Sequence, residues 1–347
     1  MMRLFWIVTT LILLIPVAHA TNVHYIIPAS DESHPFWKNT LPIANESAAQ
    51  LGFSLSIHFT AEDRFSYFRH IKNIAEQQKP KFVIIRVVAG NAAAIFDYLE
   101  AHKIYFVTFE SSYTNAERDV IGTPQKNYKY WLSEILTDDY KASKTLLNST
   151  LNKQKLNKVI ALGGSWGAVS TEREKALLDT CIPHNQCQLL RTVKTHWDKR
   201  QALPLLDRLY ESKLTADIIW TVGSEIALTS RHFFESKQQN PQIITFDWSQ
   251  TIFAAIQVEK VTATAGGHFI FPALALLNIY QFKHLGLTSV VPYQIKLEII
   301  SKTNVNWVNQ TMINAKWQAL DFKSLATTSK STTSNQSALE WLKMLRR

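Results

Sequence analysis

Short apolar runs alternate with amphipathic segments along this chain, and the alternation stops and then starts again. Val23-His24-Tyr25-Ile26-Ile27-Pro28 reads as a buried strand, and Ser33-His34-Pro35-Phe36-Trp37 as the loop that opens a helix running to about Gln50. A strand at 53–59 follows, then a helix at 65–77 with Phe65, Phe68, Ile71, Ile74 and Ala75 on one side. Further strands fall at 81–85, 104–109 and 119–122, with a helix at 91–101, and Thr123-Pro124 closes the series. The second series begins with a long helix at 128–148. It continues with strands at 158–162, 188–195, 217–220 and 242–246 and helices at 168–180, at 199–210 and from Ser224. Strands alternating with helices at this spacing specify α/β architecture with parallel sheets. Two such series in one chain predict two similar lobes, each a parallel sheet flanked by helices.

Length agrees, because 347 residues exceed one ordinary core. The apolar segment 269–283 is short for a membrane span and carries Pro272, so it reads as a buried helix. A late strand is expected at 293–300, a flexible Ser/Thr-rich tail at 327–337 and a short helix at 338–347. Residues 1–20 read as a cleavable signal peptide: Arg3, an apolar run at 4–17, then Ala18-His19-Ala20. An uncleaved anchor is the other reading; cleavage would start the mature chain near Thr21 and send it to the periplasm. Export places the two cysteines, Cys181 and Cys187, in an oxidising compartment, where one disulfide is the simplest outcome. A metal site using His184 lacks further clustered ligands. The net charge of +9 is scattered rather than blocked, which argues against nucleic acid as a partner.

No nucleophile elbow, phosphate loop or zinc-protease motif is present, so nothing commits the chain to catalysis or to a cofactor. Gly163-Gly164-Ser165-Trp166-Gly167 is either a tight strand-to-helix turn or a weak anion loop, and a hydrolase using Ser165 is the remaining enzymatic alternative. Polar and aromatic groups collect instead at successive strand ends, where α/β sheets bind ligands. In the first series these are His34, Phe36, Trp37, Arg86 and Glu110; in the second, Trp166, Arg173, Ser224, Asp247 and Trp248. His268 sits where the chain returns to the first lobe. Each has a plainer reading: Phe36, Trp37 and Trp248 as core, Arg86 and Glu110 as a mutual pair, Asp247 as a helix cap, His268 as a local bond at a bend. Together they suit a small polar ligand.

Leu162-Gly163-Gly164 followed by Thr171-Glu172-Arg173-Glu174-Lys175-Ala176-Leu177, with Thr245-Phe246-Asp247-Trp248 and Thr262-Ala263-Thr264-Ala265-Gly266-Gly267-His268, resembles the type I periplasmic binding proteins, the ribose- and galactose-binding family that includes autoinducer receptors. The resemblance spans about 22–319. It implies two lobes joined by a three-strand hinge: 21–123 with 262–291 as lobe 1, 124–261 with 292–319 as lobe 2, and 320–347 as a tail. It implies ligand contacts from Arg173 and Asp247, and from His268 in the crossover segment. It departs from the family at Gly223-Ser224-Glu225 and Arg86-Val87-Val88, where sugar binders carry other polar pairs. The implied activity is non-enzymatic binding of a small solute, presented to an inner-membrane permease of an ABC transporter. The alternative is a ligand-sensing receptor for a membrane sensor kinase or cyclase, with signal transduction in place of transport.

Overall fold

A computed structural model describes residues 20–346 apart from 33, 61–62, 88–89, 111–112, 166, 183–185, 288–291 and 329–333. Residues 1–19 of the signal peptide expected at 1–20, with Trp166 and His184, therefore lie outside the described residues.

In chain order the elements are β1 Thr21–Ile27, α1 Pro35–Leu51, β2 Phe53–Phe59, α2 Arg64–Gln78, β3 Phe82–Arg86, α3 Ala92–Ala101, β4 Tyr105–Phe109, α4 Asn115–Ile121, β5 Trp131–Thr137 and α5 Asp139–Thr150. Then come β6 Asn157–Gly163, α6 Ala168–Cys181, β7 Cys187–Lys194, α7 Lys199–Glu211, β8 Ile218–Thr221, α8 Ser224–Ser236, β9 Gln242–Phe246, α9 Gln250–Gln257 and β10 Ala263–Gly266. A 3-10 turn, His268–Ile270, leads into α10 Phe271–Leu285; β11 Tyr293–Ile295, β12 Glu298–Ser301, α11 Val305–Ile313, α12 Phe322–Thr328, β13 Ser334–Gln336 and α13 Ala338–Met344 complete the chain.

The strands form two sheets. One has seven strands in the order β13-β11-β5-β4-β3-β1-β2, and the other six in the order β12-β10-β9-β8-β6-β7. Every pairing is parallel except β10 with β12. β1 lies between β2 and β3 and is buried from Val23 to Ile27, which is why it reads as a continuous apolar run. One face of the first sheet packs against α1 and α10, and α12 packs on those two helices. The other face packs Tyr67, Ile71, Phe96 and Ile121 against Ile26, Val83, Ile85 and Phe106. α10 is buried on nearly all sides, so its apolar sequence is that of a core helix, and no described helix is long and apolar enough to cross a membrane.

Several local expectations need correction. Residues 119–122 are not a strand. They end α4, which starts at a capping box, Thr114 with Glu117, and stops at Gly122, whose φ of 70° a side chain disfavours. The single helix expected at 128–148 is β5 followed by α5. Trp131 to Ile135 is buried because β5 is an interior strand between β4 and β11, and Asp138 caps α5 by accepting from the Lys141 amide. The first sheet therefore runs past Thr123 to Thr137. The strand expected at 293–300 is two strands in different sheets, β11 and β12, with the chain crossing at Lys296-Leu297. In the polar stretch 327–337, β13 pairs with β11 through its backbone, an interaction that side-chain composition does not encode. α13 is docked by buried Trp341 and Leu342. The chain passes between the sheets four times, after β5, after β10, after β11 and after β12. Cys181 and Cys187 are disulfide-bonded, with Cα atoms 4.8 Å apart, closing the connection from α6 to β7.

Candidate ligand-binding cleft

The carboxyl ends of strands from both sheets face a common cleft of about 340 Å³, within the usual range for small-molecule sites. Of the residues expected at the site, His34, Phe36, Trp37, Arg86, Glu110, Arg173, Asp247 and His268 line it. Ser224 and Trp248 do not. Ser224 is buried in the first turn of α8. Trp248 lies beneath the β10 exit, where a Cβ on Gly266 would come within 2.3 Å of its ring, and it packs near Phe253 and Phe269. Its plainer reading, as core, is the one the coordinates support.

Phe36 and Trp37 are both core and wall. They fall in the first turn of α1, with Pro35 at its start, and each is almost fully buried. The Phe36 ring stacks on His268 at 4.5 Å, and Phe36 and Trp37 both meet Phe271 from α10. This aromatic floor fixes the His268 imidazole. His268 Nε2 lies 3.0 Å from Glu110 Oε1 and 3.5 Å from Asp247 Oδ1, so one ring nitrogen touches carboxylates from both sheets. Burial lowers the His268 pKa to about 4 and raises that of Glu110 to about 7, Arg86 and Arg173 opposing the latter shift and Asp139 adding to it. Arg86 Nε sits 4.0 Å from Glu110 Oε2 and 3.5 Å from its backbone oxygen, so the pairing considered from sequence is present.

Arg173 is buried. Its Nε donates to Asp139 Oδ1 at 2.7 Å, its Nη1 donates to the Val222 carbonyl at 2.9 Å, and the guanidinium lies 3.9 Å over the Phe246 ring. Among the described residues Nη2 alone of its nitrogens has no hydrogen-bond partner, which leaves it for the cleft. Glu110 and Asp247 hold left-handed φ values of 40° and 74°, and so do His196 and Trp197 at 53° and 64°. Four side-chain-bearing residues in that region at one cleft is the kind of backbone strain that clusters at functional sites.

His196 and Trp197 were not picked out from the sequence, yet both line the cleft. They follow β7 as Asp247 follows β9, so the strand-end rule applied to β7 would have found them. Trp197 is seated by glycine: a Cβ on Gly164 would lie 2.5 Å from the indole and one on Gly223 3.6 Å from it. The Gly163-Gly164 turn thus admits a ring rather than a phosphate. Ser170 closes the turn, accepting from the Gly164 amide and donating to Glu174. Asp63, Tyr67 and Ser165 also line the cleft, and among the described residues no histidine hydrogen-bonds the Ser165 hydroxyl. No group of three or more His, Cys, Asp or Glu side chains is arranged to hold a metal ion among the described residues.

No protein-family model matches the sequence, and no curated protein matches it. Solved structures match its shape. A periplasmic sugar-binding protein from Pseudomonas fluorescens has a TM-score of 0.77 at 19% identity, over 94% of this chain and 100% of that one. A twin-arginine translocation pathway signal protein from Burkholderia phytofirmans has a TM-score of 0.73 at 15% identity, over 86% and 95%. The periplasmic component of the arabinose ABC transporter from Shewanella sp. ANA-3, bound to α- and β-L-arabinofuranose, has a TM-score of 0.71 at 13% identity, over 90% and 99%. Two mostly parallel sheets, the repeated crossing of the chain between them and these neighbours together assign the chain the fold of the type I periplasmic binding proteins.

Proposed function

We propose that this chain is an exported solute-binding protein whose two lobes close on a small, polyhydroxylated ligand. The observation that carries the reading is the cleft where strand ends of both sheets converge, with carboxylates, a guanidinium and aromatic rings around one small volume. Asp247 and Glu110 accept ligand hydroxyls, Arg173 Nη2 and Arg86 donate, and Trp197 with Phe36 presents apolar faces to a sugar ring. The crossovers between the sheets are the hinge, each lobe moving as a body about them. The signal-peptide reading of residues 1–20 places the protein in the periplasm. The structural neighbours, among them a component of an arabinose ABC transporter, favour delivery to an inner-membrane permease. A sensing role would use the same closure and a different membrane partner; co-purification with a permease or with a sensor protein separates the two.

Titration calorimetry of the mature chain against neutral aldoses, ketoses and inositols tests the reading. At least one should bind, and Asp247→Ala should weaken it about tenfold or more by leaving its partners unsatisfied. A folded protein that binds no small polar solute would contradict it.

A further inference from the structure

We infer that the ligand of this cleft carries a protonated amine, held between the Asp247 carboxylate and the Trp197 indole. The inference deepens the solute-binding reading above and rests on it.

Charge balance is the first ground. Three carboxylates, Glu110, Asp139 and Asp247, meet only two guanidiniums, Arg86 and Arg173. Arg173 is committed to Asp139 at 2.7 Å and Arg86 lies beside Glu110. Asp247 is the carboxylate left over. No side chain or backbone group among the described residues donates a hydrogen bond to it, and the basic group beside it is His268, with Nε2 at 3.5 Å. That imidazole is uncharged at neutral pH, because burial lowers its pKa to about 4. A largely buried carboxylate with no cation favours a ligand that supplies one.

Shape is the second and independent ground. A Cβ on Gly223 would lie 3.2 Å from Asp247 Oδ2 and 3.6 Å from the Trp197 ring. The carboxylate oxygen and the indole therefore approach one another beside Gly223, and both residues line the cleft. Trp197 is 37% exposed, so ring surface remains for contact. An ammonium in the cleft between them would have a carboxylate on one side and a π surface on the other, the two groups that recognise organic cations. Hydroxyls on the rest of the ligand would meet Arg86 and Arg173 Nη2.

Proton release is a consequence. Glu110 has a pKa near 7 and shares His268 Nε2 with Asp247, so a bound cation would drive off the proton it still holds.

The probes are glucosamine and galactosamine, their N-acetyl forms, glucose and galactose, and putrescine, titrated into the mature protein at low salt in two buffers of different ionisation enthalpy. The expected result is that an amine binds at least about tenfold more tightly than its hydroxyl and acetylated counterparts, with net proton release. Asp247→Asn, checked for an unchanged melt, should abolish the preference. Binding of amino sugars but not putrescine assigns the amine to a sugar; the reverse assigns it to an alkyl chain; either supports the inference. Neutral sugars binding as tightly as amines, without proton release, would overturn it and leave the solute-binding reading intact. Failure of every probe of both classes would overturn both.

Discussion

Replacing Arg173 by Ala separates a ligand-binding arginine from one that holds the protein together. Its side chain is only 2% exposed and already serves Asp139 and the Val222 carbonyl. Asp139 opens α5, directly after the chain crosses from the first sheet to the second, so the pair ties α6 to a crossover. Truncation would leave a buried carboxylate without its cation, a loss of about 3–5 kcal/mol, of which the Coulombic attraction alone is the smaller part. For a chain of this size, with a melting shift of about 2 °C per kcal/mol, the midpoint should fall by roughly 6–10 °C. Calorimetric melts measure this directly. Arg173→Met combined with Asp139→Asn should recover part of the loss, because the orphaned charge is gone. A stability change below about 1 kcal/mol in Arg173→Ala would refute the argument and return the residue to a purely ligand-facing role.

Gly266→Ala would place a Cβ 2.3 Å from the Trp248 ring, and should cost about 1–3 kcal/mol in urea unfolding, with Trp248→Phe partly compensating. Replacing Cys181 and Cys187 together by Ser opens a link of sequence separation 6 and should cost about 2 kcal/mol; a melt insensitive to reductant would contradict this. Glu110 and His268 give opposing pH effects. The raised Glu110 pKa contributes stability that is full below about 4.5 and is lost as pH rises through about 7. The lowered His268 pKa contributes stability that is present above about 6.5 and is lost as pH falls through about 4. The two nearly cancel between pH 4.5 and 6.5, so Glu110→Gln should gain on the wild type by roughly 3 kcal/mol at most on moving from pH 4.5 to above 7. Parallel curves for the two proteins would refute it.

The fold was legible wherever a strand is buried on both faces, because Val23 to Ile27, Phe82 to Ile85 and Ile243 to Phe246 are apolar but for His24 and Thr245. It was obscured at β5, whose Ser133 and Glu134 interrupt the run. Glu134 is buried there by pairing with Arg118 at 2.9 Å, a tertiary contact that local pattern does not reveal. The lobe boundary was misplaced for the same reason. At the cleft, the strand-end rule located Arg86, Glu110 and Asp247. It did not separate Trp248, which turns under Gly266, from the residue before it, because the direction of a side chain after a strand depends on a left-handed φ at Asp247. Trp197 stands where the strand-end rule applied to β7 points; its seat against Gly164 and Gly223, distant in sequence and adjacent in space, is what the sequence does not show.

A crystal structure of the mature chain with the tightest-binding ligand from the titrations tests the central claim most directly. The account predicts a single guest between the sheets, touching Asp247, Trp197 and Arg173 Nη2, with the lobes closed over it. A guest seated instead in the polar hollow of Lys155, Asp217 and Gln242 at the opposite strand ends of the second sheet, with the cleft untouched, would contradict it.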